Sequence, residues 1–210
     1  MTKGYIITGT DTGVGKTVFA AMLTAALAGI YWKPVQSGLL PETDMDVVKK
    51  LTGLPSVHFL PEAYRLTQPL SPNLAAEIDG RKIDVRELHL PAVPWPLIVE
   101  GAGGVMVPLT PDMLYIDVFQ QWHLPVILCA RTTLGTINHT LLSIEALQNR
   151  RIPLHGIVFI GPENDNTIKT IAAFSKVKVL GHLPMLENLD QHTLATAFTD
   201  HFRKTDFLHV

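Results

Sequence analysis

A short apolar stretch at residues 5–9 leads directly into the segment GTDTGVGKT, residues 9–17. Lys16 and Thr17 then open a stretch in which apolar residues recur with helical spacing. A strand, a glycine-containing turn and a helix in this order form the setting of a phosphate-binding P-loop. The feature constrains the fold strongly, because such a loop joins a strand of an α/β sheet to the helix that follows it.

The turn offers the groups that a nucleotide's phosphates need. Backbone N–H groups at the helix start point toward the phosphates, and the helix dipole favours their negative charge. Lys16 can reach the β- and γ-phosphates, and the Thr17 hydroxyl can ligate Mg²⁺. The segment is a variant of the strict pattern, which places Gly where Thr10 stands. An ordinary glycine turn with a solvated lysine is the alternative interpretation.

Strand-like and helix-like stretches alternate along the chain. Apolar runs typical of buried strands occupy residues 5–9, 31–35, 96–100, 125–130, 156–161 and 178–184. Helical spacing occurs at residues 16–27, 44–51, 116–122, 136–149, 164–174 and 189–202. The alternation predicts an α/β protein with a doubly wound, mostly parallel sheet and helices on both faces, of the P-loop NTPase type. No linker or internal repeat divides the sequence, so we expect one domain over residues 1–210.

Composition narrows the classes of partner. The 210 residues are 47% hydrophobic and 17% charged, with a formal net charge of -2, which favours neither disorder nor attraction to nucleic acid or membrane. The single cysteine, Cys129, excludes an internal disulfide framework. The first residues lack the pattern of a secretory signal, and Pro or Gly interrupts the later apolar runs. We therefore expect a cytoplasmic protein that binds small molecules or copies of itself.

Polar and charged residues lie at or near the ends of two of the predicted strands. The segment KPVQSG puts Lys33 and Ser37 near the carboxyl ends of the strands, where open parallel sheets bind ligands. Glu100 ends the run PLIV and precedes GAGG, so it emerges at the same edge. The alternative interpretations are a surface lysine for Lys33 and a residue that merely ends the strand for Glu100. Asp44 lies at a predicted helix start, where Asp46 competes with it for the same role.

Together, GTDTGVGKT, KPVQSG, Asp44 and VEGAGG resemble motifs of the ATP-dependent dethiobiotin synthetase family. The resemblance extends to LSPNLAA at residues 70–76, LGTINHTLL at residues 134–142 and GHLPML at residues 181–186. It implies a cyclo-ligase that forms C–N bonds in biotin synthesis, with ATP and CO₂ as co-substrates. In the family, 7,8-diaminononanoate takes up CO₂ as a carbamate, which the γ-phosphate of ATP activates as a carbamic–phosphoric anhydride. Closure of the ureido ring then gives dethiobiotin, ADP and phosphate.

The resemblance also implies residue roles. The catalytic residues that it implies are Lys16, Lys33 and Ser37. The Mg²⁺ ligands that it implies are Thr17, Asp44 and Glu100. Residues implied in nucleotide binding are Thr12, Gly13, Val14, Gly15, Lys16, Thr17, Glu100, Gly103, Pro184 and Met185. Residues implied in substrate binding are Lys33, Ser37, Gly101, Gly135, Thr136, Ile137 and Asn138. Family members use residues 135–138 of the opposite subunit to hold the substrate's carboxylate, which implies a homodimer. The alternative interpretation of Asn138 is a helix cap that binds no ligand.

One position departs from the family pattern. Where the family usually has an asparagine that reads adenine, this sequence has Ile160, and Asn164 follows only after Gly-Pro-Glu. Either Asn164 reaches the ring from a shifted loop, or backbone groups around Pro184 and Met185 dominate. Loosened preference for ATP over other nucleoside triphosphates is the expected consequence.

Two other functional classes share parts of this pattern. Partitioning and assembly ATPases carry a lysine early in the loop, and the matching position here is Asp11. A regulatory binding module without turnover is the second alternative, which the presence of Lys16, Lys33 and Glu100 disfavours.

Overall fold

The computed structural model describes residues 3–208, so the first two and the last two residues of the predicted domain lie outside it. The strands in this part are β1 Gly4–Gly9, β2 Ile30–Trp32, β3 Val35–Ser37, β4 Phe59–Leu60, β5 Tyr64–Leu66, β6 Leu97–Glu100, β7 Val126–Arg131, β8 Leu154–Ile160 and β9 Val179–Leu183. The α-helices are α1 Lys16–Leu27, α2 Asp44–Thr52, α3 Pro72–Ile78, α4 Tyr115–Trp122, α5 Thr136–Asn149, α6 Asp165–Ser175 and α7 Gln191–His201. Short 3-10 helices occupy Ser56–His58, Val85–Glu87 and Lys204–Phe207.

The main sheet contains seven of these strands, in the order β4-β2-β6-β1-β7-β8-β9. All its neighbouring strands are parallel. Alternate residues of β1 supply two cores, because successive side chains of a strand point to opposite faces. Ile6 packs in a core with α4 and α5, whereas Tyr5 and Ile7 pack in a core with α1, α2 and α7. The predicted doubly wound α/β fold, with helices on both faces, is therefore confirmed.

The predicted strand at residues 31–35 is wrong as a single element. β2 ends at Trp32, and Val35 begins a separate two-stranded parallel sheet, β3 with β5. Pro34 lies between the two and has no N–H to donate to a strand ladder. The chain therefore leaves the main sheet at Lys33, which places this lysine at the carboxyl end of β2.

The short elements β4, β5 and α3 were not predicted, because they have only two, three and seven residues. Among residues 3–208, every helix is too short or too polar to cross a bilayer.

Candidate active site

The phosphate loop joins β1 to α1 as the sequence predicts. Gly15 is the N-cap residue of α1 with φ 95°, and Gly13 has φ 68°, both in the left-handed region that glycine adopts without strain. Gly15 offers no side chain to cap the helix, and the first turn contains no acidic residue. The N–H groups at this helix end are therefore open to an anion, and the helix dipole adds to the attraction.

Lys16 lies at the start of this helix and is buried, with 6% of the residue exposed. Its ammonium donates a hydrogen bond to the backbone carbonyl of Asp11, at 3.0 Å. Burial lowers the pKa of Lys16, and the nearby positive charge of Lys33 lowers it further. A buried cation of this kind is stabilised by an anionic partner, so the position of Lys16 favours the binding of a phosphate at the loop.

Lys33 and Glu100 meet because of the register between β2 and β6. Tyr31 pairs with Ile98, and the residues two positions further along each strand lie on the same face. The Lys33 ammonium is 3.0 Å from Glu100 Oε1 and also donates to the carbonyl of Gly101, at 3.1 Å. Lys33 is 4% exposed and Glu100 is 0% exposed, so this ion pair is inside the protein.

Asp44 completes the charged cluster from the first residue of α2. Its Oδ2 atom is 2.7 Å from the Lys33 ammonium. Burial alone would raise the pKa of Asp44, but the charge and hydrogen bonds of Lys33 and Thr17 outweigh it and lower the pKa. Burial alone would lower the pKa of Lys33, but the charges of Glu100 and Asp44 raise it. Opposite charges thus keep both groups ionised.

Asp46 has a different role. Its Oδ2 atom accepts hydrogen bonds from the Thr43 backbone N–H at 3.1 Å and from the Thr43 hydroxyl at 2.7 Å. The two residues form a capping box at the start of α2. Asp44, and not Asp46, therefore faces the cluster.

The oxygen atoms beside the phosphate loop suit a hard divalent cation. The Thr17 hydroxyl is 2.8 Å from Asp44 Oδ1 and 2.8 Å from Glu100 Oε1. One hydroxyl and two carboxylates next to phosphates meet the preference of Mg²⁺ for oxygen ligands and retained water. In the described part of the chain, no group of three or more His, Cys, Asp and Glu side chains could hold a metal by itself. The donor set therefore fits Mg²⁺ that is bound together with a phosphate.

A cleft of about 620 Å³ brings most of the predicted site residues together. Those that line it are Thr12, Gly13, Gly15, Lys16, Thr17, Lys33, Ser37, Asp44, Glu100 and Gly103. The cleft is also lined by Pro69 and by residues 70–72, the first three residues of the motif LSPNLAA. The buried hydroxyl of Ser37 has no hydrogen-bond partner within residues 3–208, so a ligand in the cleft can bind it.

A second cavity, of about 290 Å³, lies on the other side of the phosphate loop. Val14, Pro184 and Met185 line it together with Ile160. Asn164 is absent from this lining, because it is the N-cap residue of α6. Its Oδ1 accepts from the backbone N–H of Thr167 at 3.2 Å, and its Nδ2 donates to the Thr132 carbonyl at 3.0 Å. Both ends of this amide are therefore engaged within the chain.

The predicted carboxylate site at the start of α5 lies apart from both cavities. Gly135, Thr136, Ile137 and Asn138 line neither of them. Gly135 is the N-cap residue with φ 94° and no capping side chain, so the helix start is open to an anion. Asn138 lies at the third helical position, which means that it is not the cap residue.

Three residues near the site were not predicted. The Tyr31 hydroxyl donates to Glu100 Oε2 at 2.8 Å, and Gln36 Oε1 accepts from the backbone N–H of Asp44 at 3.3 Å. Arg131 donates to the Thr12 carbonyl at 2.5 Å and lines the second cavity. The spacing of two between Tyr31 and Lys33 is the signal that places the tyrosine on the same face.

The fold has relatives among solved structures. The ParA family ATPase from Chlorobium tepidum TLS superimposes with a TM-score of 0.58 at 12% identity, over 95% of this chain and 93% of that chain. The MinD cell division protein of Aquifex aeolicus gives 0.55 at 10% identity, over 94% and 95%. These likenesses show the fold alone. Together with the phosphate loop they define a P-loop nucleotide-binding protein.

Sequence relatives define the family. A family model described as an AAA domain matches residues 3–193. The ATP-dependent dethiobiotin synthetase BioD of Rhodopseudomonas palustris strain BisB5 is 59% identical over 208 residues, 99% of this chain and 98% of that protein. That of Agrobacterium fabrum is 53% identical over 210 residues, 100% of this chain and 99% of that protein. The chain belongs to the ATP-dependent dethiobiotin synthetase family and is an ATP-dependent ligase of this kind.

Proposed function

We propose that this ligase adds CO₂ to 7,8-diaminononanoate and closes the ureido ring of dethiobiotin with ATP. The observation that carries the proposal is the presence of two buried ammonium groups, Lys16 and Lys33, around one cleft. Such a pair can hold a carbamate against the terminal phosphate, two anions that otherwise repel each other.

The proposed reaction has three steps. One amine of the substrate takes up CO₂ as a carbamate and releases a proton. A carbamate oxygen attacks the γ-phosphorus of ATP, ADP leaves, and a carbamic–phosphoric anhydride results. The second amine attacks the carbonyl carbon, loses its proton and expels phosphate as the ring closes. Phosphoryl transfer depends mainly on positioning and charge neutralisation, so cations contribute more here than a nucleophilic side chain.

Each cation then has a defined role. Lys16 exchanges its hydrogen bond to the Asp11 carbonyl for charge-assisted bonds to the γ-phosphate and the carbamate. Lys33 stabilises the carbamate and the transferring phosphoryl group, and Ser37 binds the substrate and the anhydride. Thr17, Asp44 and Glu100 would hold Mg²⁺, which neutralises phosphate charge when it is bound.

The nucleotide is proposed to lie across both cavities. Its phosphates bind the loop residues 12–17, and Gly103 lies beside them in the larger cleft. The base enters the smaller cavity at Pro184 and Met185, where apolar side chains predominate. Gly101, whose carbonyl already accepts from Lys33, is proposed to let the protein backbone come close to the substrate.

We also propose that the active form is a homodimer and that it works in the cytoplasm. The open helix start at residues 135–138 lines neither cavity of its own chain, which agrees with a role in the partner's site. Leu134 and Ile137 beside it are exposed apolar residues of the kind that an interface covers.

The decisive experiment supplies 7,8-diaminononanoate, bicarbonate and Mg-ATP and looks for dethiobiotin by mass. We expect product with the wild-type protein and at least about 100-fold less with Lys16→Gln, because the variant lacks the cation that joins the two anions. Absence of product from folded wild-type protein would refute the proposal.

A nucleotide-switched assembly ATPase is the competing function. The loop has Asp11 where partitioning ATPases have a lysine, and the likeness to ParA and MinD structures concerns the fold. ATP turnover that a macromolecule stimulates, and diaminononanoate does not, would favour this alternative.

A further inference from the structure

Tyr31 is a fully buried tyrosine in the middle of β2, with its hydroxyl directed at the site. This hydroxyl donates a hydrogen bond to Glu100 Oε2 at 2.8 Å. The other oxygen of the same carboxylate, Oε1, accepts from Thr17 and from Lys33. Each oxygen of Glu100 therefore has its own donors, and the carboxylate is held from two sides.

We propose that Tyr31 is a positioning residue that fixes the Glu100 carboxylate for Mg²⁺-dependent catalysis. Because Oε2 is bound to the tyrosine, Oε1 is turned toward Thr17 and the phosphate loop. The inference rests on the proposed role of Glu100 as a metal ligand. Groups that orient a metal ligand through hydrogen bonds typically change metal affinity or activity by about 10–100-fold when removed.

A second buried tyrosine shows that this core can hold a phenol hydroxyl without a bond to Glu100. Tyr5 is also fully buried, and it lies in the same core as Tyr31. Its hydroxyl has no hydrogen-bond partner within residues 3–208. Tyr5→Phe is therefore a matched control, since it removes a buried phenol oxygen from the same core without touching Glu100.

The test titrates Mg²⁺ by calorimetry into the full-length protein with a non-hydrolysable ATP analogue. We expect Tyr31→Phe to raise the Mg²⁺ dissociation constant at least about 10-fold. The same constant should stay within about twofold of wild type in Tyr5→Phe. The affinity for the analogue without Mg²⁺ should be unchanged in both variants, because the effect acts through the metal ligand. In turnover, kcat should fall while KM for the diamine stays the same.

Three outcomes would overturn the proposal. The first is a folded Tyr31→Phe protein whose Mg²⁺ affinity equals that of wild type. The second is an equal loss of nucleotide affinity without Mg²⁺, which indicates general damage to the cleft. The third is failure of Tyr31→Phe to fold beside a folded Tyr5→Phe, which assigns the hydroxyl to folding. The binding measurements need no turnover, so they test Tyr31 even where dethiobiotin formation fails.

Discussion

The Lys33 ammonium lies 3.0 Å from the Glu100 carboxylate, inside the protein and at the edge of two neighbouring parallel strands. Removal of one member of a buried pair leaves an uncompensated charge, which costs about 3–5 kcal/mol. Lys33→Met should therefore lower the free energy of unfolding by about this amount in urea titrations. The control is Lys169→Met, because Lys169 and its partner Asp165 are exposed. Equal effects of the two substitutions would contradict the expectation.

Lys16→Gln should separate activity from stability. We expect dethiobiotin formation to fall at least about 100-fold, as it does when a preorganised charge-stabilising group is removed. The free energy of unfolding at pH 7 should be unchanged or higher, because burial lowers the pKa of Lys16 and so disfavours its charge in the folded state. Detection of product by mass measures the activity, and unfolding in urea measures the stability. A clearly less stable variant would show that the ammonium contributes to folding.

Ser37→Ala should affect substrate use and not folding. The buried Ser37 hydroxyl has no protein partner in the described chain, so its removal breaks no hydrogen bond within residues 3–208. The bond proposed to form with the substrate is lost, and kcat/KM for diaminononanoate should fall about 10-fold, equivalent to about 1.4 kcal/mol. Steady-state kinetics and thermal unfolding decide the matter. A lower melting temperature with unchanged kcat/KM would reverse the assignment.

Nucleotide preference should be weak. The second cavity is lined by Ile160 and other mainly apolar side chains, which offer few hydrogen bonds to tell one base from another. Rates with GTP and CTP should therefore exceed about one hundredth of the rate with ATP, a discrimination below about 2.7 kcal/mol. Initial rates with the three nucleotides test this, and a larger preference for ATP would mean that the base is read specifically.

Asn164 should not contact the base, because its side-chain amide caps α6. Asn164→Ala should lower stability by about 0.5–2 kcal/mol, the usual effect of losing an N-cap side chain. The ratio of the rates with ATP and GTP should not change. A changed ratio would indicate that Asn164 leaves its cap and contacts the base.

His155 should make stability depend on pH in the weakly acidic range. Its Nε2 atom lies 2.7 Å from the Asp206 carbonyl, and burial lowers the pKa of the imidazole below its usual 6.5. The unfolded chain therefore binds more protons than the folded one just below pH 6.5, so stability falls as the pH decreases through this range. Melting temperatures at pH 7.5 and pH 5 should differ more in wild type than in His155→Gln. Equal differences would exclude the histidine as the cause.

Periodicity predicted the longer elements closely. The bounds of α1 and α5 agree with the predicted residues 16–27 and 136–149. Five predicted strand segments correspond to strands of the main sheet, and the sixth, residues 31–35, does so only at residues 31–32. β4 and β5 contain too few residues to show a period, and the break at Pro34 depends on where the chain leaves the sheet. The single-domain organisation over residues 1–210 stays a prediction.

Sequence motifs predicted the residues of the site. They did not predict the contacts among these residues, because the contacts depend on the register between strands. The sequence placed Lys33 and Glu100 at one edge, but only the pairing of β2 with β6 brings Tyr31 to the same carboxylate. The sequence favoured Asp44 with Asp46 as a competitor, and in the structure Asp46 belongs to the capping box of α2. The roles of the residues at 135–138 depend on a second subunit and stay predictions.

Because the chain leaves the main sheet after Trp32, the walls of the cleft come from two separate sheets. The phosphate loop belongs to the large sheet, whereas Ser37 ends a strand of the small ribbon formed by β3 and β5. Of the ribbon's residues, Ser37 lines the cleft, so the cleft wall on this side can change without any change to a strand of the large sheet. Under the proposed function, an engineered ligase for shorter or longer diamines should therefore begin with residues 69–72, which line the cleft beside Ser37.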